Sequence, residues 1–297
     1  MINHILVPLD GSKYAEIALP YAVELANAAK AHLHLAKAVE PGSTSAEFAA
    51  AAYLEKTAEG LYSRFPDELQ GVTTRVLYGR PAGEVLRYAE AVDADITVIA
   101  NRGETNDPKW FLGAVAEKVL RAGKKSVLLV KKPQISKGKR KKRLIKRILL
   151  PLDGSEAGEA AIPAVKELAG IMKFKLTLLG VVRQAAARGA ALGNLQGEVP
   201  PELAMQAEAG EHARKKAAVA YLRKIEAALK EEKIPSSSIT VFGDPAEQIL
   251  DYAAVNNIDL IALSTHGRSG PGRWAFGSIT DKLLRVESAP VLVVKAG

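Results

Sequence analysis

Residues Leu260–Thr280 read LIALSTHGRSGPGRWAFGSIT. This stretch contains a predicted strand, a glycine-containing loop and the start of a predicted helix. The apolar run Leu260–Leu263 predicts a buried strand. Gly277-Ser278 precedes a helical pattern that includes Leu283 and Leu284. A glycine loop followed by a helix start with hydroxyl groups can present backbone N–H groups to an anion. The stretch therefore predicts either a phosphate site or an ordinary strand–helix loop capped by Ser278.

The composition is that of a globular chain with two domains. The 297 residues suggest two domains, and the hydrophobic share of 48% and charged share of 25% are ordinary. There is no cysteine, which excludes a disulfide framework or a thiolate metal site and fits a reducing compartment. The first residues do not resemble a signal peptide, and no apolar run approaches the roughly 18 residues of a membrane span. We therefore expect a cytoplasmic protein without a membrane partner.

The net charge of +8 is concentrated in one segment. Residues 131–147, KKPQISKGKRKKRLIKR, hold ten Lys or Arg and no acidic residue, so the rest of the chain is slightly acidic. A block of like charges repels itself and stays solvated, which favours an exposed linker. The alternative is contact with nucleic acid or another anionic surface. Because no aromatic residue interleaves with these charges to stack on bases, a nucleic-acid partner is not expected.

The chain contains two copies of one unit. Residues 3–10, NHILVPLD, and 146–153, KRILLPLD, are near copies, and Gly-Ser follows each. Residues 78–82, YGRPA, correspond in the same way to 242–246, FGDPA. The spacing between these motifs gives the second copy about 21 extra residues, which we place within 183–212. We predict a first domain at 1–132 (repeat 1), a basic linker at 133–145 and a second domain at 146–297 (repeat 2).

Strand and helix patterns alternate along each repeat. The predicted strands of repeat 1 are Ile5–Leu9, His32–Val39, Thr73–Tyr78, Ile96–Ala100 and Val127–Val130, and its predicted helices are Tyr14–Ala29, Ala46–Phe65, Ala82–Val92 and Val115–Ala122. This alternation predicts an α/β fold with two tandem, doubly wound parallel sheets of the Rossmann-like kind. Ligands of such sheets bind at the carboxyl ends of strands. Asp10 and Asp153 follow the first strand of their repeats at such an end.

Together these motifs closely resemble the universal stress protein family, in a tandem two-domain form. The motifs that support the resemblance are ILVPLDGS at Ile5–Ser12, ILLPLDGS at Ile148–Ser155, Gly-Asp-Pro-Ala at Gly243–Ala246, THGRSG at Thr265–Gly270, Gly277-Ser278, VLLVKK at Val127–Lys132 and VLVVKA at Val291–Ala296. The resemblance covers both repeats and omits the linker and the insertion. It implies a cytoplasmic stress-response sensor or regulator that binds ATP, with ADP or AMP as alternatives and Mg²⁺ as a candidate companion ion.

The family's ATP motif is Gly, two residues, Gly, nine residues, Gly, and then Ser or Thr. Repeat 2 matches it except at the first position, where Ser264 replaces glycine. The resemblance implies that Asp153 bonds the ribose or the adenine edge and that the backbone of Val181 meets adenine. The predicted ATP-binding residues are Pro151, Leu152, Asp153, Val181, Leu263, Ser264, His266, Gly267, Arg268, Gly277, Ser278, Ile279 and Thr280.

Repeat 1 departs further from this motif. Ala114 and Ala116 stand where repeat 2 has Ser278 and Thr280, and Glu104 replaces Arg268. Each lost hydrogen bond to a charged group is worth roughly 1.5–3 kcal/mol, and the carboxylate would repel phosphate. We therefore predict ATP binding mainly by repeat 2. The candidate residues of a weaker second site are Asp10, Ala38, Gly103 and Gly113.

The motifs do not indicate an efficient enzyme. His266 is the one histidine in the opening stretch, and there is no Gly-Lys-Ser/Thr phosphate loop. We assign no catalytic residue, and a slow ATPase and a scaffold that binds no nucleotide both stay open as alternatives. The family resemblance implies that the last strands, Val127–Val130 and Val291–Val294, pair so that one chain mimics a dimer, although parallel core strands would look the same. Residues 183–212 could form a lid over the base pocket or a surface loop, and a homodimer of the whole chain remains a further hypothesis.

Overall fold

The computed structural model describes residues 1–103, 112–131, 143–183, 201–265, 276–286 and 288–295, and the fold is given for these ranges. The strands are β1 His4–Pro8, β2 His32–Val39, β3 Val72–Tyr78, β4 Ile96–Ala100, β5 Ser126–Val130, β6 Arg147–Pro151, β7 Lys175–Val182, β8 Ser236–Phe242, β9 Leu260–Ser264 and β10 Val291–Val294. The helices are α1 Leu19–Ala29, α2 Thr44–Arg64, α3 Pro81–Ala91, α4 Ala114–Ala122, α5 Glu156–Glu159, α6 Ala161–Ile171, α7 Pro201–Glu231, α8 Pro245–Val255 and α9 Ser278–Arg285.

All ten strands form one sheet, in the order β3-β2-β1-β4-β5-β10-β9-β6-β7-β8. The pairs within each repeat are parallel, and the two halves of the sheet have the same strand order in opposite directions. The repeats meet where β5 and β10 pair antiparallel, with Leu128 opposite Leu292. The predicted α/β fold with two doubly wound parallel units is confirmed, and the pairing of the last strands is observed.

Helices cover both faces of the sheet. On one face, α1, α2, α6 and α7 pack on alternate strand residues such as Ile5 and Ile148, which are fully buried. On the other face, α3, α4, α8 and α9 pack on the intervening residues, among them Leu6 and Leu149. Burial on both faces explains why central strands such as β4 and β9 read as nearly continuous apolar runs, whereas the edge strands β3 and β8 are only partly buried and more polar. Within the described ranges, no helix is both long enough and apolar enough to cross a membrane.

The strands of repeat 1 lie within one residue of their predicted bounds, and three of its four predicted helices lie within two residues of theirs. β2 and β4 have their predicted bounds, but the helix predicted at Tyr14–Ala29 is divided into a short 3₁₀ turn, Ala15–Ala18, and α1. Pro20 lies in the first turn of α1. A backbone N–H at this position would have no acceptor within the helix, so proline, which lacks one, loses no hydrogen bond there. Proline therefore favours a new helix start at this point and explains the division.

The end of the predicted linker is anchored to repeat 1. Residues 132–142 lie outside the described ranges, but Leu144 and Ile145 are described, and Ile145 is fully buried. The Glu24 carboxylate on α1 accepts the backbone N–H groups of Leu144 at 2.6 Å and Ile145 at 3.1 Å. In the equivalent contact, Glu167 on α6 pairs with the amino group of Met1 at 2.7 Å. Each repeat thus holds the chain segment that leads into the other.

Candidate functional site

A cavity of about 950 Å³ opens at the carboxyl ends of β6, β7 and β9 in repeat 2. This volume is within the usual range for sites that bind small molecules. One side is formed by the residues that follow β6, the second by the start of α9, and the third by α7. The predicted residues that line it are Pro151, Leu152, Asp153, Val181, Leu263, Ser264, Gly277, Ser278, Ile279 and Thr280. The other three predicted residues, His266, Gly267 and Arg268, lie outside the described residues.

The acidic residue of the cavity is held in a local turn. Asp153 follows β6, and its Oδ1 accepts the backbone N–H of Ser155 at 3.0 Å and the Ser155 hydroxyl at 2.6 Å. The same hydroxyl accepts the backbone N–H of Gly158 at 3.0 Å, which caps the short helix α5. These bonds fix the orientation of the carboxylate before any ligand arrives. A carboxylate oriented in this way can accept hydrogen bonds from a sugar hydroxyl.

The N-terminus of α9 faces the cavity. Gly277 precedes the helix and has no side chain to cap it, so the first-turn amides remain available as donors toward the cavity. The Gly277 N–H donates to the Thr265 carbonyl at 2.9 Å, which ties the helix start to the end of β9. The buried Thr280 hydroxyl donates to the Ser264 carbonyl at 3.1 Å. Thr280 therefore braces the helix against the strand, and Ser278 is the more exposed of the two hydroxyls.

Helix α7 supplies a wall that the motif comparison did not identify. Arg214, Ala217 and Tyr221 on this helix line the cavity, and Arg183, one residue beyond β7, lies on the same wall. The Tyr221 hydroxyl donates to Glu159 at 2.9 Å and thereby connects α7 to α5. The two guanidinium groups make this side of the cavity electropositive. No motif in the sequence marks these residues, because their position depends on how a 31-residue helix packs.

In repeat 1 the equivalent space contains a lysine. Lys37 on β2 corresponds to Gly180 on β7, and its Nζ donates to the Asp10 carbonyl. The Nζ also lies 5.9 Å from the ring centroid of Tyr53, whose hydroxyl donates to Glu16 at 3.3 Å. Burial is the main cause that raises the pKa of Tyr53 above its usual value, so the phenol stays a neutral donor. The side chain of Lys37 thus fills space that the missing side chain of Gly180 leaves open.

A second pair of equivalent positions also carries bulkier residues in repeat 1. The Tyr14 hydroxyl donates to Asn101 Oδ1 at 3.0 Å, and Asn101 is buried. Repeat 2 has Ala157 in place of Tyr14 and Thr265 in place of Asn101. Two side chains of repeat 1 therefore meet at a point where repeat 2 has smaller ones.

The residues predicted for the weaker second site lie on neighbouring elements of repeat 1. Asp10 Oδ1 accepts the Ser12 N–H at 2.9 Å, as Asp153 does from Ser155. A Cβ placed on Gly103 would be 2.2 Å from Asp10 Oδ2, so the two residues are in close contact. Gly113 precedes α4 as Gly277 precedes α9, and Ala38 lies next to Lys37 on β2. Their role in binding stays a prediction.

An alignment of the two repeats could have revealed the difference in side-chain size between the two sites from the sequence alone. Counted from the first motif of each repeat, Lys37 aligns with Gly180 and Tyr14 aligns with Ala157. Such an alignment compares side-chain volumes at equivalent positions, whereas the comparison with the family's ATP motif considered hydroxyl groups and charge.

For the metal, no cluster of three or more suitable ligands occurs in the described parts of the chain. Asp153 remains the candidate carboxylate for an ion that accompanies a nucleotide.

Both repeats match one known protein family. The model of the universal stress protein family matches residues 1–131 and 144–295. The universal stress protein YxiE of Bacillus subtilis is 26% identical over 152 residues, which is 51% of this chain and all of that protein. The universal stress protein MJ0531 of Methanocaldococcus jannaschii is 31% identical over 144 residues, 45% of this chain and 85% of its own. These relatives are therefore each about as long as one repeat.

A solved structure has the same architecture over the whole chain. The universal stress protein from Archaeoglobus fulgidus DSM 4304 superposes with a TM-score of 0.67 and covers 100% of both chains at 19% identity. At that identity the likeness concerns the fold. Another solved universal stress protein, a complex with cAMP, is 26% identical and covers 44% of this chain and 98% of its own, with a TM-score of 0.38.

Proposed function

The chain belongs to the universal stress protein family, and from that premise we propose that repeat 2 binds ATP while repeat 1 binds it weakly or not at all. The principal support is the contrast between Gly180 and Lys37 at equivalent positions of the two repeats. Gly180 borders a cavity of about 950 Å³, and Lys37 occupies the corresponding space in repeat 1. The role as a cytoplasmic stress-response sensor or regulator is part of the same proposal and follows from the family.

The geometry of the repeat 2 cavity supports a nucleotide as its ligand. The first-turn amides of α9 and the Ser278 hydroxyl can donate hydrogen bonds to phosphate oxygens. Asp153 lies after β6 and can accept hydrogen bonds from a ribose. Leu152, Val181 and Leu263 give the cavity apolar surface that suits a base. Arg183 and Arg214 add positive charge, which favours an anionic ligand.

Isothermal titration calorimetry of the full chain with ATP and Mg²⁺ tests this proposal. We expect one site per chain, and we expect Ser278→Ala to weaken binding by about tenfold or more, because it removes a hydrogen bond to a charged group. Ala114→Ser is the matched change in repeat 1 and should leave the affinity unchanged. Two equal sites would contradict the proposed asymmetry, and absence of heat together with absence of a thermal shift would contradict ATP binding.

The same titration distinguishes the ligands. ADP, AMP and cAMP, the last being the ligand in one solved relative, should be compared with ATP at equal concentration. We expect ATP to bind most tightly because its phosphates reach the α9 N-terminus. Phosphate release followed over hours would reveal slow hydrolysis, and an effect of Asp153→Ala on that release would assign it to this site.

A further inference from the structure

The C-terminal end of α9 is held by a lysine from repeat 1. Lys131 follows β5, and its side chain is buried, with 1% exposure. Its Nζ donates to the Leu283 carbonyl at 2.5 Å, the Val286 carbonyl at 2.7 Å and the Ser288 hydroxyl at 3.1 Å. An ammonium group has three N–H donors, and these three acceptors belong to the described residues around this one. Lys131 thus satisfies carbonyl groups at a helix end that would otherwise lack partners.

The same contact occurs in the opposite direction across the β5–β10 pair. Lys295 follows β10, and its Nζ donates to the Leu120 carbonyl and, at 3.3 Å, to the Arg121 carbonyl at the end of α4. Burial lowers the pKa of Lys295 below its usual value. Lys131 of repeat 1 thus donates to the C-terminal end of α9, and Lys295 of repeat 2 donates to that of α4. The N-terminus of α9 faces the candidate ligand site of repeat 2, and that of α4 faces the candidate site of repeat 1.

Repeat 1 also contacts the chain just before α9. Phe276 precedes Gly277 and is buried, and the Arg121 guanidinium lies 5.5 Å from its ring centroid. Lys295, which belongs to repeat 2, lies 6.0 Å from the same ring. On the helix itself, Arg285 approaches Glu117 of α4 at 4.0 Å. The two ends of α9 are therefore both supported from the other side of the sheet junction.

We propose that Lys131 is a positioning residue for the nucleotide site of repeat 2, a proposal that rests on ATP binding there. Helix α9 has eight residues, so its placement depends on contacts from outside the helix. A cation at its C-terminus and an anion at its N-terminus both interact favourably with the same helix dipole. Lys131 keeps the first-turn amides directed at the phosphates, and repeat 1 contributes to binding although Lys37 takes up space in its own candidate site.

Lysine-to-methionine changes on the two sides of the junction provide a matched test. We expect Lys131→Met to weaken ATP binding by about fivefold to tenfold, measured by calorimetry. Lys295→Met removes a 6.0 Å contact with the Phe276 ring, but its hydrogen bonds go to α4, so it should change ATP binding by less than twofold. Both variants should lower the melting temperature, because each leaves helix carbonyls without a partner. Lys131→Gln, which retains a donor and removes the charge, covers the case in which Lys131→Met does not fold and should give an intermediate loss.

Hydrogen exchange without nucleotide supplies a readout that does not depend on ATP. Lys131→Met should increase exchange of the α9 amides, and Lys295→Met should increase it in α4 instead. Unchanged ATP affinity in folded Lys131 variants, or an equal loss in Lys295→Met, would overturn the positioning role and leave the proposed function intact. If the wild-type chain binds no ATP, both proposals fail, even if α9 exchange responds as expected.

Discussion

A single position on the second strand of each repeat determines how much space lies beside the first-strand aspartate. Gly180 has no side chain, and a Cβ at this position would lie 3.0 Å from Leu222 Cδ1. Lys37 instead extends toward Asp10 and bonds to its carbonyl. Because the leucine methyl can shift, repeat 2 should accept a longer side chain here at the expense of cavity volume.

Gly180→Lys is therefore expected to abolish measurable ATP binding by repeat 2. The new side chain would occupy the cavity as Lys37 does in repeat 1, so we expect an affinity loss of at least about fiftyfold, or roughly 2.3 kcal/mol. Calorimetry with ATP and Mg²⁺ measures the loss, and a thermal melt without ligand reports whether the chain remains folded. The control is Lys37→Ala, which changes the equivalent position in repeat 1 and should leave the affinity of the repeat 2 site unchanged. Normal binding by folded Gly180→Lys would show that this volume is not where the nucleotide sits.

The sequence predicts chemistry at single residues better than it predicts space. Gly277-Ser278 and Asp153 could be recognised because spacing within one motif and a position after a strand are local properties. Arg214 and Tyr221 could not, because they reach the cavity through the packing of a long helix over the sheet. To predict that Lys37 takes up this space would have required both an alignment of the two repeats and knowledge of the direction in which the side chain points.

Among elements, β1 and β2 of repeat 1 carry a cluster of imidazoles. His4 Nδ1 lies 3.1 Å from His34 Nε2, and the rings of His32 and His34 are 4.9 Å apart between centroids. Tyr88 on α3 contacts His34 Nδ1 at 3.3 Å. Burial, and then the neighbouring histidines, lowers the pKa of His34 to about 4, and burial also lowers that of His32. The folded chain therefore resists protonation that the unfolded chain accepts near the ordinary value of 6.5.

This cluster should make the fold less stable at mildly acidic pH. Its contribution is fully present above about pH 6.5 and is lost as pH falls toward 4, because the unfolded state then binds the proton more tightly. We expect the melting temperature to fall between pH 7 and pH 5, with about 2–4 °C of the fall due to His34. His34→Asn should remove that part of the slope. Calorimetric melts at constant ionic strength measure it.

His212 provides the control for this experiment. It lies exposed on α7, where its ring bonds to the Glu208 carbonyl at 3.0 Å. His212→Asn should leave the pH slope of the melting temperature as in the wild type. If His34→Asn and wild type show the same slope, the neutral histidine cluster does not contribute to acid sensitivity.

Helices and strands could be predicted from the sequence where their residue pattern is local. β4 is an almost wholly apolar run, and β2 alternates histidine and leucine before a short Ala- and Val-rich end, so their bounds follow from the sequence. The insertion, placed within 183–212, has no such pattern. Its residues 201–212 form the beginning of the long helix α7, and residues 184–200 lie outside the described ranges. Its proposed role as a lid is still a prediction. The lysine contacts across the β5–β10 pair depend on how the two repeats are arranged, which no local pattern encodes.

At the scale of the molecule, the segments leading into the two repeats are tied to the opposite repeat with unequal burial. Glu24 accepts two backbone N–H groups from Leu144 and the fully buried Ile145. Burial, partly offset by these bonds, raises the pKa of Glu24 above its usual value. Glu167 instead pairs with the amino group of Met1, whose side chain is 96% exposed. The first contact should therefore matter more to stability than the second.

Glu24→Ala is expected to reduce the free energy of unfolding by about 1–3 kcal/mol, because it leaves buried backbone donors without an acceptor. Glu24→Gln keeps one acceptor oxygen and should cost less. Glu167→Ala is the matched variant, and an exposed ion pair predicts a change below about 1 kcal/mol. Urea unfolding monitored by circular dichroism measures all three. Equal losses for Glu24→Ala and Glu167→Ala would contradict the difference in burial.

The antiparallel junction of β5 and β10 also affects how the two halves can change over time. Because a covalent chain brings these strands together, dilution cannot separate them, and their pairing does not depend on protein concentration. In an assembly of identical subunits, every substitution alters both sites at once. In a fused chain each half mutates independently, so one can exchange a glycine for Lys37 while the other retains Gly180. The fusion thereby permits a division of labour that two identical subunits cannot evolve.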